Sequence, residues 1–387
     1  MPSGSGLLSP CQHIKREFLE LRNIIDSHLD LAWNALSLKR DLTVPLDRLN
    51  EVDATYTDWK YRGRATISLP EMRKGRIAVG FVTMMARVPY GNPSGALGGF
   101  LDFPAHAGAY AFAQGQLAYY RQLEREGQMR IIRTAGELEE HWRHWTGPQQ
   151  SNATDFAQPI GGVIAMEGTD AIVNPAQAET WYEDGLRCAS LVHYGKSAYA
   201  SGTGEEGPLT SAGRELLAEF ERLGILLDTT HLCDTSFYEA LEVFGGKLLA
   251  SHQNCRELVP HQRQFSDEQL NMIIERNGVI GSALDAWMLA PGFVSGSTSR
   301  EVVSINAVAD HIDHVCQLAG NARHAAFGSD LDGGFGTEQC PTGLESIADL
   351  QKLDAILAAR GYDDAALDAI FHGNWLRMLS ESLPGDE

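Results

Sequence analysis

Gly224-Ile225-Leu226-Leu227-Asp228-Thr229-Thr230-His231 and Lys247-Leu248-Leu249-Ala250-Ser251-His252 are two short apolar runs, each ending on an imidazole, with room for one helix between them. Runs of this kind, without polar alternation, suit strands of a parallel sheet buried on both faces. Two such strands joined by a helix would set His231 and His252 side by side at one rim. The first apolar run of the chain, Ile24-Ile25-Asp26-Ser27-His28-Leu29-Asp30, ends in the same manner. A metal on a barrel rim needs ligands from several strand ends converging on one point, and three strand-terminal imidazoles fit that need.

Working outward, the spacing predicts further strands over residues 76–87, 159–166, 189–192, 279–284 and 325–327, with those above refined to 225–229 and 248–250. Helices alternate with them. Residues 213–223 place Leu216, Leu217, Phe220 and Leu223 on one face, and Gly224 stops the pattern. Ser266-Asp267-Glu268-Gln269 reads as a capping box before Leu270, Ile273 and Ile274, with Asn277-Gly278 closing the helix. Residues 306–318 repeat the periodicity through Val308, Ile312, Val315 and Leu318. Eight strand–helix units predict a (β/α)8 barrel with its metal site on the C-terminal face; a doubly wound open sheet is the second choice. The barrel is one domain over residues 24–387, behind an N-terminal extension over 1–23, with a helical insertion around 105–158. Gly-rich stretches over 88–103, 197–213 and 290–299 each follow a strand, and so belong to the face that carries the site.

Composition narrows the partners. Hydrophobic content of 43% and charged content of 21% are those of a soluble globular protein. A formal charge of −20 would repel nucleic-acid phosphates and anionic membranes. No stretch approaches the roughly 20 apolar residues that cross a bilayer. Residues 1–23 lack the apolar core of a signal peptide, which favours the cytoplasm. The cysteines Cys11, Cys188, Cys233, Cys255, Cys316 and Cys340 form no C-x-x-C pair and read as free thiols.

The candidate residues each have two readings. His28 and Asp30, two apart on a strand, point to one side over the barrel mouth, or else simply begin a polar turn. Glu167 ends a buried run and could bridge two ions with its two oxygens, or be an exposed loop acid. His231 and His252 are ligands or hydrogen-bonded half-buried histidines. Asp330 ends the last run and could take and return a proton, while Asp332 caps the next segment. His193 could polarise a carbonyl or steady an oxyanion, and Arg263 could hold a carboxylate bidentately; either could instead serve packing. His311 and His314 match H-x-x-H on a helix whose face reads as ordinary core. His106, His141, His144, His261, His324 and His372 have no strand-end context.

Taken together, Asp26-Ser27-His28-Leu29-Asp30-Leu31, Met166-Glu167-Gly168, Asp228-Thr229-Thr230-His231, Ala250-Ser251-His252-Gln253-Asn254 and Gly328-Ser329-Asp330-Leu331-Asp332-Gly333 resemble the signatures of the membrane (renal) dipeptidase family of zinc peptidases, in that family's order. His311-Ile312-Asp313-His314-Val315 and Gly373-Asn374-Trp375-Leu376-Arg377 are weaker echoes. The resemblance implies a barrel holding two zinc ions, one on His28 and Asp30, the other on His231 and His252, with Glu167 between. It further implies hydroxide attack on the peptide bond of a dipeptide, often one with a C-terminal D-residue. Asp330 would shuttle the proton, His193 support the tetrahedral intermediate and Arg263 bind the terminal carboxylate. A homodimer is expected on the same ground.

The chain departs from the family at Ser282-Ala283-Leu284-Asp285-Ala286-Trp287-Met288, where an Asn-Phe-Tyr type of sequence is usual, and at Thr169, where a second glycine is usual. The first departure touches the substrate pocket. A binuclear hydrolase of another small amide, lactam or lactone is therefore the alternative, followed by a non-catalytic binding protein on the same scaffold.

Overall fold

The computed structural model describes residues 21–57, 59, 62–90, 101–147 and 158–386. Most of the expected N-terminal extension, together with Cys11, lies outside them. Among the described residues, nine strands form one sheet: β1 (Ile24–Leu29), β2 (Ile77–Met85), β3 (Met129–Ile131), β4 (Ile160–Glu167), β5 (Leu186–Ser190), β6 (Leu226–Asp228), β7 (Leu248–Leu249), β8 (Ile280–Ser282) and β9 (Ala325–Phe327). Their order is β7-β6-β5-β4-β2-β1-β9-β8, with β3 beside β4 and off that path. Every pairing is parallel. The ring closes just past β7, where Ala250 N–H donates to Val279 O at 3.0 Å and Gly281 N–H donates to Ala250 O at 2.9 Å. The expected barrel is therefore the fold.

The closure is tight because the chain keeps it small. A Cβ on Gly328 would meet Ser251 O at 1.7 Å and one on Gly281 would meet it at 2.1 Å, so only glycine lets the Ser251 backbone reach the barrel wall. Strands β1, β2 and β4 are buried along their whole length, as continuous apolar runs between barrel interior and helix ring require.

The helices follow their signs. Ser211–Leu223 ends at a left-handed Gly224, and Ser266 caps Asp267–Glu275 through the capping box read from the sequence. Asn306–Ala319 ends at Gly320. Two expectations need correction. The fourth of the expected strands runs over Leu186–Ser190, not 189–192: Arg187, packed over the Tyr182 ring at 4.1 Å and donating to Arg133 O, masked the strand's start. The insertion around 105–158 is also more than helical. Between its helices, His106–Arg125 and Ala135–Thr146, it adds β3, whose Arg130 pairs Gly161 of β4. Three residues are too few to leave a period in the sequence. Cys188, Cys233, Cys255, Cys316 and Cys340 are buried free thiols.

Candidate metal centre at the barrel mouth

The strand ends deliver their side chains with a common offset. His193, His231, His252 and Asp330 each lie three residues beyond their strands, β5, β6, β7 and β9. Glu167 is the last residue of β4, and His28 lies within β1. His193 therefore does not end its strand, as expected, but belongs to the loop after it. Asp30 has also left the strand: a register irregularity after Asp26 turns it into the residue preceding the helix Leu31–Ser37. His231 and Asp330 hold the left-handed backbone conformation, with φ of 70° and 55°. That conformation costs about 1–2 kcal/mol for a residue with a Cβ, and it turns both side chains inward.

The result is one buried cluster. Glu167 Oε1 lies 3.0 Å from His231 Nε2 and 3.3 Å from His252 Nε2, while its other oxygen lies 3.8 Å from His28 Nε2. His28 Nε2 is 3.6 Å from Asp30 Oδ2 and 3.7 Å from Asp330 Oδ1. Ligand atoms of His28, Asp30 and Glu167 fall within 4.8 Å of one another, and so do those of Glu167, His231 and His252. The two triads share Glu167. A third grouping joins His28, His252 and Asp330.

Electrostatics mark the cluster as incomplete by itself. Burial acts against a cation at His28, yet Glu167, Asp30 and Asp330 outweigh it and push the imidazole up to about 10. Burial pushes Glu167 up to about 7, partly offset by His28, and raises Asp330 well above the carboxylate range. Burial also holds His193, His231 and His252 well below the usual imidazole value. His28 Nε2 and Asp30 Oδ1 are buried without a hydrogen-bond partner, and His231 Nε2 faces His252 Nε2 at 3.1 Å. Two neutral imidazole nitrogens gain little from each other, and orphaned buried atoms cost about 1–3 kcal/mol each. A divalent cation would answer all of these demands, so the residues fit a metal centre.

The surrounding residues aim the side chains of the cluster. Ser251 Oγ donates to Asp228 Oδ2 at 2.5 Å and lies 2.9 Å from His252 Nδ1; having spent its proton, it accepts from that nitrogen. His252 Nε2 is left with its lone pair facing inward. Thr203 Oγ1 lies 2.9 Å from His231 Nδ1. Such outer partners fix ring orientation at metal sites. Asp332 turns away from the cluster, but it does not cap the next segment as expected; its carboxylate holds a much earlier one, accepting from Thr66 N–H, Thr66 Oγ1–H and Ile67 N–H at 2.7–3.1 Å. Gly333 is required beside Asp330, because a Cβ there would meet Asp330 Oδ1 at 1.9 Å.

A cavity of about 360 Å³ opens above the cluster, walled in part by Arg263, Tyr194, Asp285, Trp287 and Phe335. A larger hollow of about 1030 Å³ lies at the opposite end, where Arg76 and Gln158 precede their strands, so size alone does not locate the site. Arg263 is buried, with Nη1 donating to Gln253 Oε1 at 2.6 Å and Nη2 to His252 O at 2.8 Å. Every site residue singled out from the sequence thus lies at this mouth. The residues missed were Arg87, Thr203 and Asp228, while Asp285 belongs to the stretch over 282–288 expected to touch the substrate pocket and does wall the cavity. Asp228 sits inside a quoted run, and Arg87, a cation at the end of an apolar one, was the signal left unread. His311 accepts from Cys255 N–H at 3.1 Å and His314 contacts Asp267 at 2.7 Å, away from the site.

A model of the membrane dipeptidase family (peptidase family M19) matches residues 13–383. Dipeptidase aclJ of Aspergillus oryzae is 30% identical over 227 residues, 57% of this chain and 51% of that protein. The chain spans about half the length of such curated relatives. The solved dipeptidase AC, a metallopeptidase, superposes with a TM-score of 0.75 at 26% identity, over 94% of this chain and 99% of that one. A metallopeptidase from Rhodobacter sphaeroides, liganded with a phosphinate mimic of L-Ala-D-Ala, gives 0.73 at 26% identity, over 94% and 100%.

Proposed function

The chain belongs to the membrane dipeptidase family, and from that premise we propose that it is a metal-dependent dipeptidase with two zinc ions. The observation that carries this is Glu167, whose one oxygen faces His231 and His252 while the other faces His28. His28 and Asp30 would hold one ion, His231 and His252 the other, with Glu167 shared. Three imidazoles and two carboxylates are a donor set suited to zinc. The ions supply Lewis acidity and a lowered water pKa when bound.

The chain's own groups do the rest. Asp330, raised by burial and with its side chain 16% exposed to the cavity, takes a proton and passes it to the departing amine. His193 Nε2, 3.9 Å from Glu167 Oε1, donates to the carbonyl oxygen as it gains charge. Arg263 has used two of its five N–H groups and offers others to the substrate's terminal carboxylate. Recognition through charged termini tolerates either hand at the C-terminal residue, and the L-Ala-D-Ala mimic bound by the Rhodobacter relative supports acceptance of a D-residue there.

A second reading, hydrolysis of another small amide or a lactam, draws on Asp285. This buried acid on the cavity wall is pushed up to about 7 by burial and accepts from Gln339 Nε2 at 2.7 and 2.8 Å. A panel of L,L and L,D dipeptides, tried with zinc-reconstituted protein, separates the two. Turnover of the L,D members, reduced about 10²–10⁴-fold in Asp330→Asn, is the expected result. No dipeptide turnover from protein holding two zinc ions per chain would move the assignment to the second reading.

A further inference from the structure

Two histidines of this mouth have Nδ1 partners that call for opposite tautomers. Arg87 lies two residues past β2 and is buried. Its Nη1 approaches His193 Nδ1 at 3.2 Å. A guanidinium carries only donors, so Nδ1 must accept. The single proton of the neutral ring then sits on Nε2, the atom that faces Glu167 and the metal cluster. His252 is the opposite case: its Nδ1–H donates to Ser251 Oγ, and Nε2 turns a lone pair inward. One imidazole is built as a ligand and the other as a donor.

Arg87 is itself clamped for this task. Its Nε donates to Asp102 Oδ1 at 2.7 Å, and its Nη2 lies 2.7 Å from the same oxygen. The backbones of the two segments are joined as well, Arg87 N–H to Leu101 O and Phe103 N–H to Arg87 O, each at 2.8 Å. With Nε given to Asp102 and Nη1 to His193, Arg87 keeps only Nη2 without a hydrogen-bond partner, and that group is buried beside Asp102. We propose that Arg87 is a positioning residue that fixes His193 in the Nε2–H tautomer, so that a hydrogen-bond donor always faces the reacting carbonyl. The role of that donor rests on the dipeptidase reading; the tautomer does not.

Selective ¹⁵N-histidine labelling of the zinc-loaded protein tests it, because protonated and bare ring nitrogens resonate apart; His193→Ala assigns the signal. The expected spectrum shows His193 protonated at Nε2 and bare at Nδ1, with both forms mixed in Arg87→Met. A protonated Nδ1 in the unmodified protein, or a spectrum unmoved by Arg87→Met, overturns the proposal whatever the enzyme hydrolyses. In turnover, Arg87→Met should lower kcat about 10- to 100-fold, less than the about 100- to 1,000-fold typical of losing an oxyanion donor outright, with KM within about threefold and bound zinc unchanged. Arg87→Lys, still a donor-only cation, should recover most of kcat. Added to His193→Ala, Arg87→Met should lower kcat no further, since a residue acting through another is not additive with it. A full additional loss, or a change confined to KM, would place Arg87 in substrate binding and sink the positioning role. Should Arg87→Met not fold, Arg87→Lys against His193→Ala and the ¹⁵N spectrum decide the same question.

Discussion

Buried histidines occur in two places in this molecule, the barrel mouth and the body, and they share burial but not partners. In the body, His141 Nε2 lies 2.9 Å from Ala78 O and His324 Nδ1 lies 2.8 Å from Gly278 O, while His311 accepts from Cys255 N–H. Each has a backbone group to itself. At the mouth, His231 and His252 point at each other and at Glu167, and His28 Nε2 has no hydrogen-bond partner. Burial depresses His141, His311 and His324 just as it does His193, His231 and His252. A lowered pKa therefore does not identify a ligand. What identifies the mouth is polar capacity left over after every protein partner is counted.

The largest effect that could break this contrast lies in His231. Its Nε2 has only Glu167 and another imidazole for company, so His231→Ala removes a proposed ligand without orphaning a backbone group. Bound zinc should fall below two per chain, and turnover should drop about 10³-fold or more, a loss of the size that follows removal of a central catalytic group. Metal analysis beside initial rates checks it. Full zinc content with ordinary turnover would mean that surplus polar capacity is a poor guide to a metal site.

Asp330 and Asp332, two residues apart, repeat the lesson with carboxylates. Asp330 faces His28 and the cavity, whereas Asp332 is held by Thr66, Ile67 and, at 3.6 Å, Arg40. Asp332→Asn should lower unfolding free energy by about 3 kcal/mol, the lower end for breaking a buried ion pair, and leave kcat of the folded enzyme nearly unchanged. Denaturant titration with active-site counting would show it. A normal unfolding midpoint with lost turnover would exchange the roles of the two acids.

Much of this was legible beforehand because strand ends are sharp in sequence. An apolar run that stops on His, Asp or Glu says which rim the residue occupies, and eight apolar runs alternating with helices define a barrel. His28, Glu167, His231, His252 and Asp330 could be found that way. The residues that tell one imidazole from another could not, because their signal is tertiary. Asp228 is separated from the Ser251 hydroxyl it orients by a whole helix, and Arg87 meets His193 across 106 positions. The strand β3 was missed for a local reason: its three residues act as a strand only once β4 offers them an edge. The fourth expected strand was displaced because Arg187 reads as surface, although its guanidinium is spent on Arg133 O and Tyr182 O.

The smallest effect, and the one that sharpens the comparison most, concerns His141 in the body. Burial lowers it to about 4 from an ordinary value of 6.5, while its bond to Ala78 acts weakly the other way. The unfolded chain therefore takes up a proton at His141 near pH 6.5, and the folded chain only near pH 4. The stability that His141 contributes is whole above pH 6.5 and drains away as the pH falls toward 4, by up to about 3 kcal/mol at 1.36 kcal/mol per unit. His141→Gln keeps a donor for Ala78 O and cannot titrate, so the stability difference between pH 7 and pH 4.5 should shrink by roughly that amount. Urea unfolding at the two pH values, with zinc saturating at the higher and removed from both proteins in a parallel set, isolates the body from the mouth. If the pH dependence of His141→Gln matched that of the parent in the metal-free set, acid sensitivity would belong to the mouth histidines. The two populations would then differ in their response to protons as well as to metal.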